Sequence, residues 1–234
     1  MSVLEPGLYL VATPIGNLED ITLRAIRVLK EVDLICAEDT RRAKILLKFY
    51  SIDTPVTSYY DYNKERKSPG LLKRLKDGGR IGLISEAGTP GISDPGFYLA
   101  KRALDAHIRV IPIPGSTALI SALIASGLPT DRFLFEGFLP RKKGKRRKRL
   151  EGLAQEERTI VLFESPYRVH QTLQEIRDVL GDREVAVARE LTKRFEEVRR
   201  GRVGEVLEYY GKKGVKGEVV IVLHGRESVK RLNG

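Results

Sequence analysis

The chain has 234 residues, 41% hydrophobic and 31% charged, a balance that supplies a sizeable core and excludes intrinsic disorder. One cysteine excludes a disulfide framework within the chain, no signal-peptide pattern is present, and no apolar run reaches the roughly 20 residues of a membrane span, so a cytoplasmic protein without membrane contact is expected. The formal net charge of +11 points to a polyanionic partner.

Residues 8–12 (LYLVA) form a short apolar run that reads as a buried strand, and the turn TPIGNLED follows. Ile21, Ala25, Val28, Leu29 and Val32 then fall at helical spacing. Residues 33–37 predict a second strand, 40–50 a basic helix, 55–59 a third strand, 68–77 a helix stopped by Gly78-Gly79, and 80–84 a fourth strand. The stretch 84–96, ISEAGTPGISDPG, exceeds the roughly 2–6 residues of an ordinary connection from strand to helix. Its glycines and prolines suit a turn, but a long backbone-rich loop after a strand is also where α/β proteins hold ligands. Asp94 and Pro95 read as the start of a helix over 95–106, and 108–113 as a fifth strand. The alternation predicts an α/β domain with a largely parallel sheet over residues 1–114.

A second domain is expected over 115–234. It begins with a small-residue helix at 116–126, a strand at 133–136 and a basic segment. A strand at 159–163 precedes a helix opened by Ser165 and Pro166, with Val169, Leu173, Ile176 and Leu180 as its apolar stripe. Strands at 185–188, 196–200 and 218–223, with a helix at 204–210, make strands outnumber helices and predict a mixed sheet.

His107, His170 and His224 lie far apart with no ligand spacing, so no metal site is expected. Neither a G-x-x-x-x-G-K-[ST] nor a G-x-G-x-x-G pattern occurs, which disfavours an NTPase and a nicotinamide enzyme. Cys36 in LICA reads as a small buried hydrophobe. RKKGKRRKR at 141–149 has eight cations in nine positions. Such a run repels itself unless an anion answers it. Phosphate contact through Arg141, Lys142, Lys143, Lys145, Arg146 and Arg147, with Arg41 and Arg42 adding charge, stands against a solvated loop. Tyr59, Tyr60 and Tyr62 suit either base stacking or core packing.

In order over residues 8–224 run LYLVATPIGNLEDIT, AEDTRR, SEAGTPGISDPG, VIPIPGSTALISAL, FEGFLPRKKGKRRKRL, TIVLFESPYR, RELTKRFEEVRRG and KGEVVIV. This series resembles the 16S rRNA cytidine 2′-O-methyltransferases, a family of the tetrapyrrole (precorrin/corrin) methylase superfamily. The resemblance implies a two-domain tetrapyrrole-methylase-like fold, S-adenosyl-L-methionine bound in the cleft between the domains, and a homodimer. It implies ribose methylation of a decoding-centre cytidine in 16S rRNA or in the small ribosomal subunit. The matching cofactor positions are Ile15, Gly88, Thr89, Ile92, Ser116, Thr117, Ala118, Phe163, Leu191 and Gly217. Glu86 stands where the family more often has Asp, and the C-terminal helical extension of some members is expected to be absent here.

The chemistry suits these residues. A sulfonium already activates its methyl, so positioning is the main demand on the protein. Backbone carbonyl oxygens of 88–92 suit the sulfonium, Thr89 the amino-acid end, and Ile92, Phe163 and Leu191 the adenine. A ribose hydroxyl also needs a proton acceptor. Asp39 or Glu38 fits that role, with Arg41 holding a phosphate. Equally, Asp39 fits a helix cap paired with Arg41 or Arg42. Glu190 and Lys193 are second candidates. The alternatives are a precorrin methylase, whose substrate is a polycarboxylate, a non-enzymatic RNA-binding module built on the GxxG of GTPG, and a knotted ribose methylase.

Overall fold

The computed structural model describes residues 4–226. The chain divides into two compact units, 1–117 and 118–234.

In unit 1 the strands β1 (Gly7–Val11), β2 (Leu34–Ala37), β3 (Val56–Ser58), β4 (Arg80–Ile84) and β5 (Val110–Ile113) form one sheet. Their order is β3-β2-β4-β1-β5 and every pairing is parallel, as the sequence predicts. Parallel strands need crossovers, which are the helices α1 (Leu23–Glu31), α2 (Thr40–Phe49), α3 (Lys64–Lys76) and α4 (Gly96–Asp105). Side chains alternate across the sheet. Tyr9, Val11, Ile35 and Ile84 pack with Val28, Leu29, Leu46 and Leu47 of α1 and α2. Leu8, Cys36, Ile81 and Leu83 pack with Leu71, Leu72, Leu75 and Leu99 of α3 and α4. Cys36 is fully buried there, and burial pushes its thiol up to about 12.

Local chemistry sets the helix starts. Thr22 Oγ1 accepts from Ala25 N at 3.0 Å to open α1. Helix α3 starts four residues ahead of the predicted 68, because Asn63 closes the preceding turn: its Oδ1 accepts from Tyr60 N at 2.9 Å. Pro69 therefore lies inside α3 rather than at its start.

Unit 2 carries β6 (Phe133–Phe138), β7 (Thr159–Glu164), β8 (Glu184–Arg189), β9 (Glu197–Arg202) and β10 (Val219–Leu223), in the order β6-β7-β10-β8-β9. Only β6 and β7 run parallel, so this sheet is mixed, as expected. The helices are α5 (Ala118–Ser126), α6 (Lys143–Gly152), α7 (Val169–Leu180) and α8 (Val203–Lys213). One core joins Leu150 and Leu153, Val169, Leu173 and Ile176, and Val203, Val206 and Leu207 to the strand residues Ile160, Leu162 and Ile221.

The structure departs from the sequence reading at two places. The basic segment, to which the sequence assigned no element, is helical over 143–152, with Arg146 and Leu150 turned inward. Helix α7 begins at Val169 rather than at Pro166. The residues between form a turn around the buried Glu164 carboxylate, whose Oε1 accepts from Ser165 N at 2.7 Å and whose Oε2 accepts from Thr172 Oγ1 at 2.6 Å.

No helix among the described residues is long and apolar enough to cross a membrane. The segment where a C-terminal extension would begin lies outside the described residues from 227 onward.

Candidate active site

In unit 1, three loops meet beyond the carboxyl ends of β1, β4 and β5, the edge at which parallel sheets bind ligands. Thr13 N donates to Gly88 O at 2.9 Å and Gly88 N to Thr13 O at 3.1 Å, so the TPIGNL and SEAGTPG loops are stitched together. Thr89 Oγ1 donates to Ser116 O at 3.1 Å, and Ser116 Oγ to Asp20 O at 3.0 Å, which ties in the PGST loop. Gly88 has φ +83°, and a Cβ there would stand 3.2 Å from Ile15 Cγ2 and 3.4 Å from Ser116 O. The glycine is thus needed twice, for its left-handed backbone and for close packing.

Ile15, Gly88, Thr89, Ser116 and Thr117 therefore come together as one backbone-rich cradle, with Ile92 farther along the same loop. The hydroxyl protons of Thr89 and Ser116 are spent on holding the loops, which leaves their lone pairs and the backbone groups for a ligand. Asp94 binds the far side: its carboxylate accepts from Gly91 N at 2.8 Å and from Gly96 N at 2.7 Å. It closes the loop and satisfies the first amide of α4, but the helix starts one residue later than the sequence suggests: Pro95 is its N-cap and Gly96 its first residue.

Glu38 and Asp39 follow β2 and behave oppositely. Asp39 is the N-cap of α2: Oδ1 accepts from Arg41 N at 2.8 Å, and Arg41 Nη2 reaches Oδ2 at 2.9 Å. The hydrogen bonds from the Arg41 side chain and backbone hold the Asp39 carboxyl down at about 2. Arg41 is 90% exposed at its side chain but engaged with Asp39. Among the described residues Glu38 has no such partner. Burial, with the carboxylates of Glu86, Asp94 and Asp61 around it, raises its carboxyl above the usual range. Arg42 Nη1 pairs with Glu86 Oε2 at 2.9 Å. That pair rims a hollow of about 140 Å³ with Thr13, Pro14, Leu18 and Ser85, which gives Glu86 a definite place beside the loops.

In unit 2, Ala118 opens α5 and Phe163 lies in β7 against Phe135 and Phe138 at ring centroid distances of 4.9 and 5.6 Å. Leu191 sits in a strained turn, between Glu190 at φ 51° and Thr192 at φ 65°. Lys193 Nζ braces the turn by bonding Glu190 Oε1 at 3.0 Å and Glu218 Oε2 at 3.1 Å. The Glu190 side chain lies so close over Gly217 that no Cβ fits there. Glu190 and Lys193 thus neutralise each other as a structural brace.

The basic run is sorted by α6. Arg146 is withdrawn from the phosphate-facing set: it is 1% exposed, and its Nε and Nη2 each reach a Glu175 oxygen at 2.7 Å. Arg149 pairs with Glu136, and Arg147 with Glu151 at 3.1 Å on the surface. Arg141, Lys142, Lys143, Lys145 and Lys148 are exposed, and no ion pair holds them among the described residues. Of the tyrosines, Tyr59 is core, bonded to Ser68 Oγ at 3.0 Å, whereas Tyr62 is 97% exposed. No group of three His, Cys, Asp or Glu able to hold a metal occurs among the described residues.

The family described as Tetrapyrrole (Corrin/Porphyrin) Methylases matches residues 7–207. A protein of Synechocystis sp. named Ribosomal RNA small subunit methyltransferase I is 52% identical over 219 residues, which is 93% of this chain and 78% of the relative. The protein of that name from Thermotoga maritima is 48% identical over 220 residues, covering 94% of this chain and 99% of the relative. The chain belongs to the tetrapyrrole methylase family. Within it, the chain groups with the small-subunit rRNA methyltransferases I, and it is a methyltransferase. Among solved structures, uroporphyrin-III C-methyltransferase from Thermus thermophilus, complexed with S-adenyl homocysteine, superposes with a TM-score of 0.65 at 23% identity. That alignment covers 93% of this chain and 97% of the other, and it shares the fold.

Two features of this methyltransferase escape a reading of its sequence. The carboxylate that buries Arg146 comes from α7, 29 residues away. The contrast between Glu38 and Asp39 depends on the burial of Glu38, with Glu86, Asp94 and Asp61 brought near it by folding, and on the hydrogen bonds that Arg41 gives Asp39.

Proposed function

We propose that this chain transfers the methyl group of S-adenosyl-L-methionine to the ribose 2′-oxygen of a cytidine in small-subunit rRNA. The observation that carries the reading is the cradle of unit 1: three loops cross-bonded through Thr13, Gly88, Thr89 and Ser116 around a glycine at φ +83° where a Cβ would be strained and crowded by Ile15 Cγ2 at 3.2 Å. A rigid surface of carbonyls and amides fits a small ligand that carries a cation, a carboxylate and an amine. Ile15, Gly88, Thr89, Ile92, Ser116 and Thr117 are the unit 1 residues assigned to it. The family resemblance adds Ala118, Phe163, Leu191 and Gly217.

When bound, the cofactor supplies a methyl group activated by a sulfonium. The residues of the chain position the ribose hydroxyl and take up its proton. Glu38 is assigned as the acceptor, because burial raises its carboxyl above the ordinary value, and such a carboxylate takes up a proton better than one held near 2. Asp39 is assigned the N-cap of α2. Arg141, Lys142, Lys143, Lys145 and Lys148 are assigned to RNA phosphates, with the surface pair Arg147–Glu151 beside them. A homodimer in the cytoplasm is the expected assembly.

The test is calorimetric titration of S-adenosylmethionine into wild-type chain and into Gly88→Ala, Phe163→Ala and Leu191→Ala. Micromolar binding by wild type and its loss in Gly88→Ala are expected. Equal binding by wild type and Gly88→Ala would contradict the cradle.

A further inference from the structure

Phe138, whose ring meets Phe163 edge-on at 5.6 Å, and Tyr167 are large aromatic side chains that keep 55% and 94% of their surface exposed. Strands β6 and β7 run parallel, with Phe138 opposite Phe163. Phe138 therefore ends β6 at the same sheet edge from which the turn carrying Tyr167 leaves β7. Parallel strand ends are where such sheets present ligands.

Both residues stand on rigid backbone. The Glu164 carboxylate is buried, accepts from Ser165 N and Thr172 Oγ1, and pairs with Arg168. Arg168 N donates back to Ser165 O at 2.9 Å, and Arg168 Nη1 donates to Leu139 O at 3.3 Å. That last bond fastens the Tyr167 turn to the residue after Phe138. On the other side, the buried Arg146 donates through Nη1 to Arg141 O at 3.0 Å. The link from β6 to α6 is pinned in turn.

Exposed rings cost free energy in water. Here two of them are displayed on backbone held by buried charge, and the unpaired cations Arg141 and Lys142 follow Phe138 within four residues. Aromatic rings interleaved with cations are the arrangement that holds single-stranded nucleic acid: rings stack on bases and cations follow the phosphates.

We propose that Phe138 and Tyr167 form a stacking platform for an unpaired base of the RNA, with Arg141 and Lys142 on the adjoining phosphates. This inference rests on the rRNA methylation reading and adds to it a site for unpaired nucleotides. Charge complementarity selects RNA over a second copy of this chain, which carries the same net positive charge.

The experiment is fluorescence anisotropy with two labelled probes, a ten-nucleotide oligocytidylate and a blunt RNA duplex. It uses full-length wild type, Tyr167→Ala, Tyr167→Phe, Phe138→Ala and Lys142→Gln. Tyr167→Ala is expected to weaken the oligocytidylate about tenfold, the size of one lost stack. It should leave the duplex and the salt slope unchanged, and Tyr167→Phe should restore affinity. Lys142→Gln is expected to flatten the salt slope by roughly 0.7 of a unit for the single strand. Unchanged oligocytidylate affinity in Tyr167→Ala, with wild type still methylating rRNA, overturns the platform alone. Wild type that binds neither probe and methylates no rRNA overturns the parent reading as well. A shift in sedimentation to a smaller species in Phe138→Ala, with RNA affinity intact, overturns the platform in favour of a contact between copies.

Discussion

Replacing Arg146 separates a structural arginine from the exposed cations that surround it in the sequence and are proposed to bind phosphate. Its guanidinium makes two charge-assisted bonds of 2.7 Å to Glu175, and Nη1 bonds Arg141 O at 3.0 Å. Arg146→Ala leaves the Glu175 carboxylate, 9% exposed at its side chain, without a cation in a packed core. Removing one member of a buried pair costs about 3–5 kcal/mol. The double variant Arg146→Met/Glu175→Leu removes both charges and fills the space, so it should recover most of that loss. Urea unfolding followed by circular dichroism measures both. The double variant should also keep the wild-type salt slope for RNA, whereas Lys145→Gln should flatten it by roughly 0.7 to 0.9 of a unit with stability unchanged. An Arg146→Ala variant within about 1 kcal/mol of wild type would refute the reasoning, since the pair would then carry little. So would a double variant that loses salt dependence, since Arg146 would then be touching phosphate.

Three further outcomes are expected. The Arg146 hydrogen bonds hold the Glu175 carboxyl below its ordinary 4.5, so its contribution is present above that value and is lost as pH falls through the lowered one; the stability gap between wild type and Glu175→Gln should therefore narrow in acid. Single-turnover methyl transfer should rise with pH through a value above the usual carboxylate range, because the raised Glu38 must lose its proton to act; Glu38→Gln should abolish that limb while cofactor titration stays normal. Asp39→Ala should lower thermal stability through the lost cap of α2, typically about 1 kcal/mol, and keep much of the turnover; a complete loss of turnover with intact folding would return Asp39 to the chemistry.

The sheet of unit 1 was legible because its strands are continuous apolar runs separated by helical spacing, the mark of parallel strands buried on both faces. The loop 84–96 was legible as more than a turn because of its length and its glycines and prolines, and it is bonded to the loops after β1 and β5. Helix α3 starts four residues before the expected 68 because the residue that closes the preceding turn, Asn63, acts through contacts with Ser58 and Tyr60. Helix α6 was hidden by its own composition: eight cations occur in nine positions, Leu150 is the one apolar side chain of the helix, and nothing local marks Arg146 as the cation whose partner is buried. The split between Glu38 and Asp39 was illegible for the same reason. Adjacent carboxylates look alike until Arg41 folds back onto one and three other carboxylates gather near the other.

Mapping of 2′-O-methyl groups on small-subunit rRNA, with tritiated S-adenosylmethionine and the purified chain added to unmethylated subunits, tests the account most directly. The account predicts one new ribose methyl at a single cytidine, absent when Gly88→Ala is used. Label on a base, label on a tetrapyrrole but not on rRNA, or no transfer at all would contradict it.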